Sequence, residues 1–311
     1  MDALVCWIAR ALVAVVQALP VGGVARIGRL AGGLAYWLDF RHRRVALNNL
    51  TLCFGGEKSP EEIRAIAREN FRRLGENYLT AIKCAALDPD EIRQHVTFTG
   101  AHWIEPAVPG GECRSIIGAI GHFGNFEMYA RIGLFLPGYR VATTYRGVNP
   151  PGLNRLMQSL REQSGCLYFD RRSGSSALKD LLRQRGVLLG LLSDQRTILG
   201  ALRLPFLGRE CSTNPAPAVF ARRYGAALHT CICYRTGLAQ WRMEFGPEIP
   251  TRENGRLRTN AAIMRDVNRA LETGVRRDPA NWFWVHDRWK LPASPAKERA
   301  STVTNWETVT Q

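Results

Sequence analysis

Apolar and polar positions alternate along this chain with two distinct periods. Short apolar runs closed by glycine or turn-forming residues predict buried strands at 96–99, 116–121, 141–145, 166–169, 187–192, 227–234 and 240–245. Longer stretches with apolar residues three or four apart predict helices over 60–86, 128–136, 152–164, 176–185, 216–224 and 259–275. The longest of these opens on Ser59-Pro60-Glu61-Glu62, a capping box with proline at the first helical position. Strands alternating with helices give an α/β fold: a mostly parallel central sheet flanked by helices.

Ahead of this alternation lies a different pattern. Residues 3–19 form the most hydrophobic stretch of the chain, 17 residues interrupted by Arg10 and Gln17 and closed by Pro20 and Gly22-Gly23. That is the lower limit for crossing a hydrocarbon core of about 30 Å. No basic region precedes it and no small-residue cleavage site follows, which argues against a cleaved signal peptide. A second apolar patch over 30–40 leads into Arg41-His42-Arg43-Arg44, read as a basic turn. Basic residues beside an apolar helix mark contact with anionic lipid on the cytoplasmic side. The competing reading is a pair of core helices with a solvated turn. We favour an N-terminal apolar helix that anchors the chain, spanning the membrane or lying on it. The division expected is a membrane-anchoring segment over 1–40, a catalytic domain over 41–291 and a polar tail over 292–311.

Composition narrows the choice of partners. The chain of 311 residues is 46% hydrophobic, enough for a full core, and carries 42 Lys and Arg against 27 Asp and Glu, a formal charge of +15. Such an excess suits anionic partners: nucleic acid, an acidic membrane surface, or acidic substrates and carriers. The basic residues are dispersed over α/β elements with no recognisable nucleic-acid module, which speaks against a nucleic-acid-binding protein. The eight cysteines contain no C-x-x-C pair and sit mostly in apolar settings, as reduced thiols do in a protein facing the cytoplasm.

The candidate chemistry lies where the run 116–121 meets His122-Phe123-Gly124-Asn125-Phe126-Glu127. This is a strand-to-helix turn at the end of a buried strand, where α/β sheets bind ligands, with Gly124 or Asn125 as the helix cap. On a continuous helix His122 and Glu127 would stand about 140° apart. With the histidine ahead of the helix, the turn can fold its ring toward the carboxylate. His122 is then a candidate general base and Glu127 the acid that fixes its tautomer. The commoner fate of a lone histidine is a structural one; strand-end placement and the nearby Glu127 favour catalysis. No G-x-S-x-G elbow and no activated cysteine accompany it, so the attacking group belongs to the substrate. The six histidines, His42, His95, His102, His122, His229 and His286, form no zinc-binding pair, and there is neither a P-loop nor a G-x-G-x-x-G fingerprint.

Several blocks in order carry a family resemblance over nearly the whole chain. They are the N-terminal apolar segment with Leu47-Asn48-Asn49-Leu50, the His-x4-Glu turn, Tyr145-Arg146, the helix bearing Arg161, Ser193-Asp194-Gln195, Pro205-Phe206-Leu207-Gly208 with Thr213, and residues 282–290. Together they resemble the bacterial lipid A biosynthesis acyltransferases, the late lauroyl and myristoyl transferases. That family lies within the wider His-x4-Asp/Glu acyltransferases of glycerolipid synthesis, and the resemblance implies a glycerol-3-phosphate acyltransferase-like fold.

It also implies transfer of an acyl chain from an acyl carrier protein thioester, or coenzyme A in relatives, to a hydroxyl of a membrane lipid such as a lipid A precursor. No cofactor is implied beyond the donor, and the enzyme would work at the cytoplasmic face of the bacterial inner membrane. Carried over, His122 is the base and Glu127 its partner. Asn125, Arg146, Arg161 and Asp194 take supporting and substrate-binding roles, with Arg161 or backbone N–H groups on the oxyanion. Arg171, Arg172, Arg183, Arg185, Arg196, Arg222 and Arg223 would face the acidic carrier and phosphorylated lipid. The chain departs from the family at Asp287, where another basic residue is usual. The runner-up is a lysophospholipid or other glycolipid acyltransferase, and the reading from a different class is a basic membrane-peripheral or nucleic-acid-binding protein.

Overall fold

A seven-stranded sheet organises the chain. The computed structural model describes residues 2–104, 113–171, 173–198 and 200–290; the tail expected over 292–311 and Arg172 lie outside the described residues. The strands are β1 (Val96–Thr99), β2 (Ile116–Ile120), β3 (Arg140–Tyr145), β4 (Leu167–Asp170), β5 (Val187–Leu192), β8 (Ala227–Gly237) and β9 (Gln240–Phe245), in spatial order β1-β9-β8-β2-β5-β3-β4. Every neighbouring pair is parallel except β8 and β9. Two hairpins stand apart from it: β6 (Leu202–Phe206) with β7 (Arg209–Thr213), and β10 (Arg252–Glu253) with β11 (Arg256–Leu257).

The period of two in the strands sorts side chains onto two core layers. Ile117, Ala119, Leu189, Leu191 and Leu228 point into the layer covered by α3 (Phe40–Phe54), α4 (Pro60–Cys84), α7 (Ser175–Leu182), α8 (Ala216–Tyr224) and α9 (Asn260–Arg277). Ile116, Ile120, Leu188, Cys231, Met243 and Phe245 point the other way. There they meet α5 (Pro89–His95) and a 3₁₀ segment, Phe126–Leu134, standing where the sequence predicts an ordinary helix. A sheet covered on both faces is what near-continuous apolar strands require.

The predicted capping box is formed: the Ser59 hydroxyl accepts from Glu62 N–H, and the Glu62 carboxylate accepts from Ser59 N–H at 2.8 Å. The basic cluster Arg41–Arg44 is not a turn but the start of α3, capped by the Asp39 carboxylate, which accepts from His42 N–H at 3.0 Å.

The first 40 residues form two helices with different surroundings. Helix α2 (Val21–Leu38) lies along α4 at backbone contact; a Cβ on Gly32 would stand 2.1 Å from the Phe71 carbonyl oxygen, and one on Gly75 the same distance from that of Gly28. Only glycine permits that approach. Helix α1 (Asp2–Ala18) buries no residue fully. Its half-buried positions Cys6, Ala9, Val13, Val16 and Gln17 trace one strip, and the helix lies against α4 and α6 (Pro151–Glu162), while Leu4, Trp7, Ile8, Leu12 and Val15 stay exposed. Among the described residues no helix is long and apolar enough to cross a membrane.

Candidate active site

His122 and Asp194 come together because β2 and β5 are register partners. Ile120 pairs with Leu192, so the residues two positions beyond, His122 and Asp194, leave the sheet side by side at its carboxyl edge. His122 Nδ1 lies 2.7 Å from Asp194 Oδ1, and the backbone N–H of His122 donates to Oδ2 at 2.7 Å. Trp282 Nε1–H donates to the same oxygen at 2.7 Å. Burial works against charge on the fully enclosed Asp194, but the His122 ring, the His122 backbone N–H and Trp282 outweigh it and hold the carboxyl below its ordinary range. An ionised carboxylate can only accept, so Nδ1 carries the proton and Nε2 offers a lone pair. No described residue hydrogen-bonds Nε2. The ring is held edge-on by Phe126, centroids 4.9 Å apart, and flanked by Phe283 at 5.6 Å.

This geometry corrects the pairing expected from the His-x4-Glu spacing. The Glu127 carboxylate is taken by Arg161, with Nη2 at 2.7 Å and Nε at 3.3 Å, and the imidazole by Asp194. Loss of water works against charge on Arg161, yet the Glu127 pair outweighs it and raises its pKa. Asn125 stands at the cap position of the 3₁₀ segment without a side-chain cap bond; buried, it donates to the Thr80 hydroxyl at 3.3 Å instead. Gly124 has φ +49°, and a Cβ there would meet the Cys233 carbonyl at 2.6 Å, so the turn needs glycine. Arg146 is exposed at the end of β3.

The C-terminal block closes the site from below. Gly124 N–H donates to Asn281 O at 2.9 Å, and Phe123 bridges Trp282. Two asparagines hold this segment in place. Asn49 on α3 donates to the carbonyls of Trp284 and His286, both at 2.9 Å, and Asn70 on α4 to those of Ala280 (2.9 Å) and Trp282 (2.6 Å). Trp282 and His286 reach the site, and their part in it was not read from the sequence. His286 Nε2 accepts from the Arg196 N–H at 3.1 Å, and burial pushes its pKa down. Arg288 is fully buried and donates to the carbonyls of Gln195 (2.6 Å) and Ser212 (2.8 Å), bracing the loop that follows Asp194.

His122, Glu127, Arg146 and Arg161 all line one cavity of about 530 Å³. From the sheet edge it runs into the second core layer, between Gly118, Ile132, Val141, Leu188, Gly190 and Phe245. Its size falls within the range of small-molecule sites, roughly 300–1,000 Å³. The inner wall is apolar and the mouth is charged. Burial pushes the thiol of Cys166, which also lines it, up to about 12, so no thiolate forms at neutral pH. Ser193 is turned away, its hydroxyl donating to Leu191 O at 2.8 Å. Among the described residues no group of three His, Cys, Asp or Glu side chains could hold a metal ion.

An oriented imidazole, no nucleophile beside it among the described residues and an apolar cavity behind it fit an enzyme that transfers a group between two bound substrates. Comparison with known proteins gives the family. The model of the bacterial lipid A biosynthesis acyltransferases matches residues 2–291, and the chain belongs to that family. It is 28% identical over 282 residues to the lipid A biosynthesis palmitoleoyltransferase of Escherichia coli K12, covering 88% of this chain and 86% of that protein. A lipid A biosynthesis acyltransferase of Shigella flexneri is similar to the same extent. The E. coli K12 lipid A biosynthesis lauroyltransferase is 26% identical over 289 residues, covering 91% of this chain and 90% of its own.

Proposed function

We propose that the protein passes a fatty acyl chain from an acyl carrier protein thioester to a hydroxyl of a lipid A precursor, with His122 as general base. The observation that carries this reading is the His122–Asp194 pair at the mouth of a cavity with an apolar interior. The acceptor O–H gives its proton to His122 Nε2 while its oxygen attacks the thioester carbonyl carbon. The C–S bond then breaks, and the leaving thiolate takes the proton back from the imidazolium, which Asp194 has stabilised. The acyl chain lies between Gly118, Val141, Leu188 and Gly190. Glu127 and Arg161, paired at the mouth, fix the wall past which both substrates enter. The reading is tested by incubating the purified chain with acyl carrier protein thioesters and a lipid A precursor, then weighing the lipids by mass spectrometry. Gain of one acyl group on the precursor is the expected product. Acylation of a lysophospholipid in its place would move the protein to the runner-up reading, and no acylated lipid at all would reject both.

The acceptor and the apolar N-terminal helices point to the same place, the cytoplasmic face of the inner membrane. Leu4, Trp7, Ile8 and Leu12 on α1 and Leu30, Leu34 and Trp37 on α2 are exposed, a larger apolar surface than a chain surrounded by water keeps. With Arg10 among them, these helices lie on the bilayer, and Arg41, Arg43 and Arg44 favour anionic lipid. The variant W7S/L12S/L30S/W37S is expected to lose most of its sedimentation with anionic vesicles at high salt. Sedimentation equal to wild type would remove these helices from the membrane contact.

A further inference from the structure

Four parallel strands lie side by side in the order β2, β5, β3, β4, and past the carboxyl end of each comes a basic side chain that lines the cavity. Beyond β2 comes His122, beyond β5 Arg196, beyond β3 Arg146 and beyond β4 Arg171. Tyr145 and Asp170 are register partners, so Arg146 and Arg171 leave the sheet as neighbours, on strands about 4.8 Å apart. All four residues line the same cavity.

The three arginines are gathered on one cavity, with no carboxylate partner among the described residues. Arg29, Arg73, Arg161, Arg235, Arg258, Arg276 and Arg277 each meet a carboxylate. Among the described residues, none lies in ion-pair range of Arg146, Arg171 or Arg196. Arg196 Nη1 donates to Lys290 O at 3.1 Å, and Arg171 Nε makes one long bond, 3.4 Å, to the Thr144 hydroxyl. Loss of surrounding water and then the charge of Arg146 depress the pKa of Arg171, as expected of cations gathered without a counter-ion. Guanidinium groups lining one cavity offer it several N–H donors, the chemistry that binds the oxygens of a phosphate.

We infer that Arg146, Arg171 and Arg196 form a phosphate-binding site beside the general base, which holds the phosphate of a substrate while its reactive group lies at His122. The anion site stands on the arginines alone; that its occupant is a substrate rests on the acyl-transfer reading. Two substrates carry the chemistry: a phosphorylated acceptor lipid, and the phosphate that joins the carrier protein to its thioester arm.

The site is tested on the full chain with phenylglyoxal, which modifies accessible guanidinium groups, in the presence and absence of inorganic pyrophosphate. Modified arginines are located by mass spectrometry. Pyrophosphate is expected to protect Arg146, Arg171 and Arg196 together, by about threefold or more, and to leave exposed Arg209 and Arg252 unchanged. Equal labelling of the three with and without pyrophosphate overturns the site, whatever the transfer activity. Protection in a protein that transfers no acyl group would instead reject the acyl-transfer reading and leave the anion site standing.

Kinetics of R146Q/R171Q then name the source of the phosphate. If it is the acceptor's, wild type prefers the intact lipid to its phosphatase-treated form by on the order of tenfold or more, and the variant loses that preference. If it is the donor's, the loss falls on the preference for the carrier-protein thioester over a phosphate-free thioester. A variant that keeps both preferences overturns the proposal.

Discussion

Replacing His122 with alanine is expected to lower acyl transfer by about 10²–10⁴-fold while leaving a folded protein, because the half-buried ring is the proposed base and contributes little to the core. Asp194→Asn tests the geometry more sharply. An amide in place of the carboxylate no longer enforces the proton on Nδ1 or stabilises the imidazolium, so kcat should fall by a similar order with little change in KM. Glu127→Gln removes the ion pair to Arg161 and leaves the imidazole's partner in place, so its cost should be smaller and appear in KM. Assayed together with circular dichroism as the folding control, the three variants separate the two carboxylates. Full activity in Asp194→Asn with none in Glu127→Gln would return the orienting role to Glu127. The pH dependence of stability has a matching sign. Asp194 titrates below its ordinary value of 3.8 in the folded chain, so the stability it contributes is complete above that pH and is lost as pH falls through the lowered folded value. Acid titration of wild type should therefore show a loss below about pH 4 that Asp194→Asn lacks.

Local features of the site were legible in the sequence and the long-range one was not. The run 116–121 reads as a strand because it is short, apolar and ended by glycine, and the turn after it follows from the polar residues that interrupt the pattern. The Ser59 capping box and the helix over 216–224 are likewise written in adjacent residues. The partner of His122 is 72 positions away and depends on which strands pair and in what register. Spacing within one segment drew attention to Glu127 because a single segment has no register to consult. A signal was nevertheless present: both buried runs end in an apolar residue followed, two positions on, by a titratable one, Ile120 with His122 and Leu192 with Asp194. Parallel strands of equal ending place such residues together. The hairpin of β6 and β7 escaped for a different reason. Its turn has Leu207 at φ +50° and Gly208 at φ +73°, and leucine at a left-handed position carries no turn signal. The basic cluster at 41–44 reads as a turn in sequence because its charge hides the helical continuity that Ala46, Asn49 and Leu50 supply from the buried side.

Gly118 offers the second large effect, and it concerns the substrate rather than the base. Gly118 and Gly190 are register partners in the middle of β2 and β5, and both line the cavity. Glycine in a strand interior weakens the strand and often marks close approach by a backbone or ligand. Here no backbone requires it: a Cβ on Gly118 would meet nothing nearer than 3.8 Å, whereas one on Gly190 would press the Ile120 side chain at 3.3 Å. The missing side chain at 118 is therefore free volume inside the apolar end of the cavity, available to an acyl chain. Gly118→Leu should fill it and exclude the distal methylenes of a long donor. Each methylene kept from burial costs about 0.8 kcal/mol, close to fourfold in kcat/KM, so loss of three or four amounts to on the order of 10²-fold. Short donors, which never reach that depth, should react at nearly the wild-type rate, and Gly118→Ala should lie between. The measurement is kcat/KM along a series of thioesters of increasing chain length. A uniform fall at every length would mean general damage to the sheet, and an unchanged profile would mean that the acyl chain lies elsewhere. Only a break at one chain length, moved shorter as the side chain at 118 grows, places the end of the substrate beside that strand.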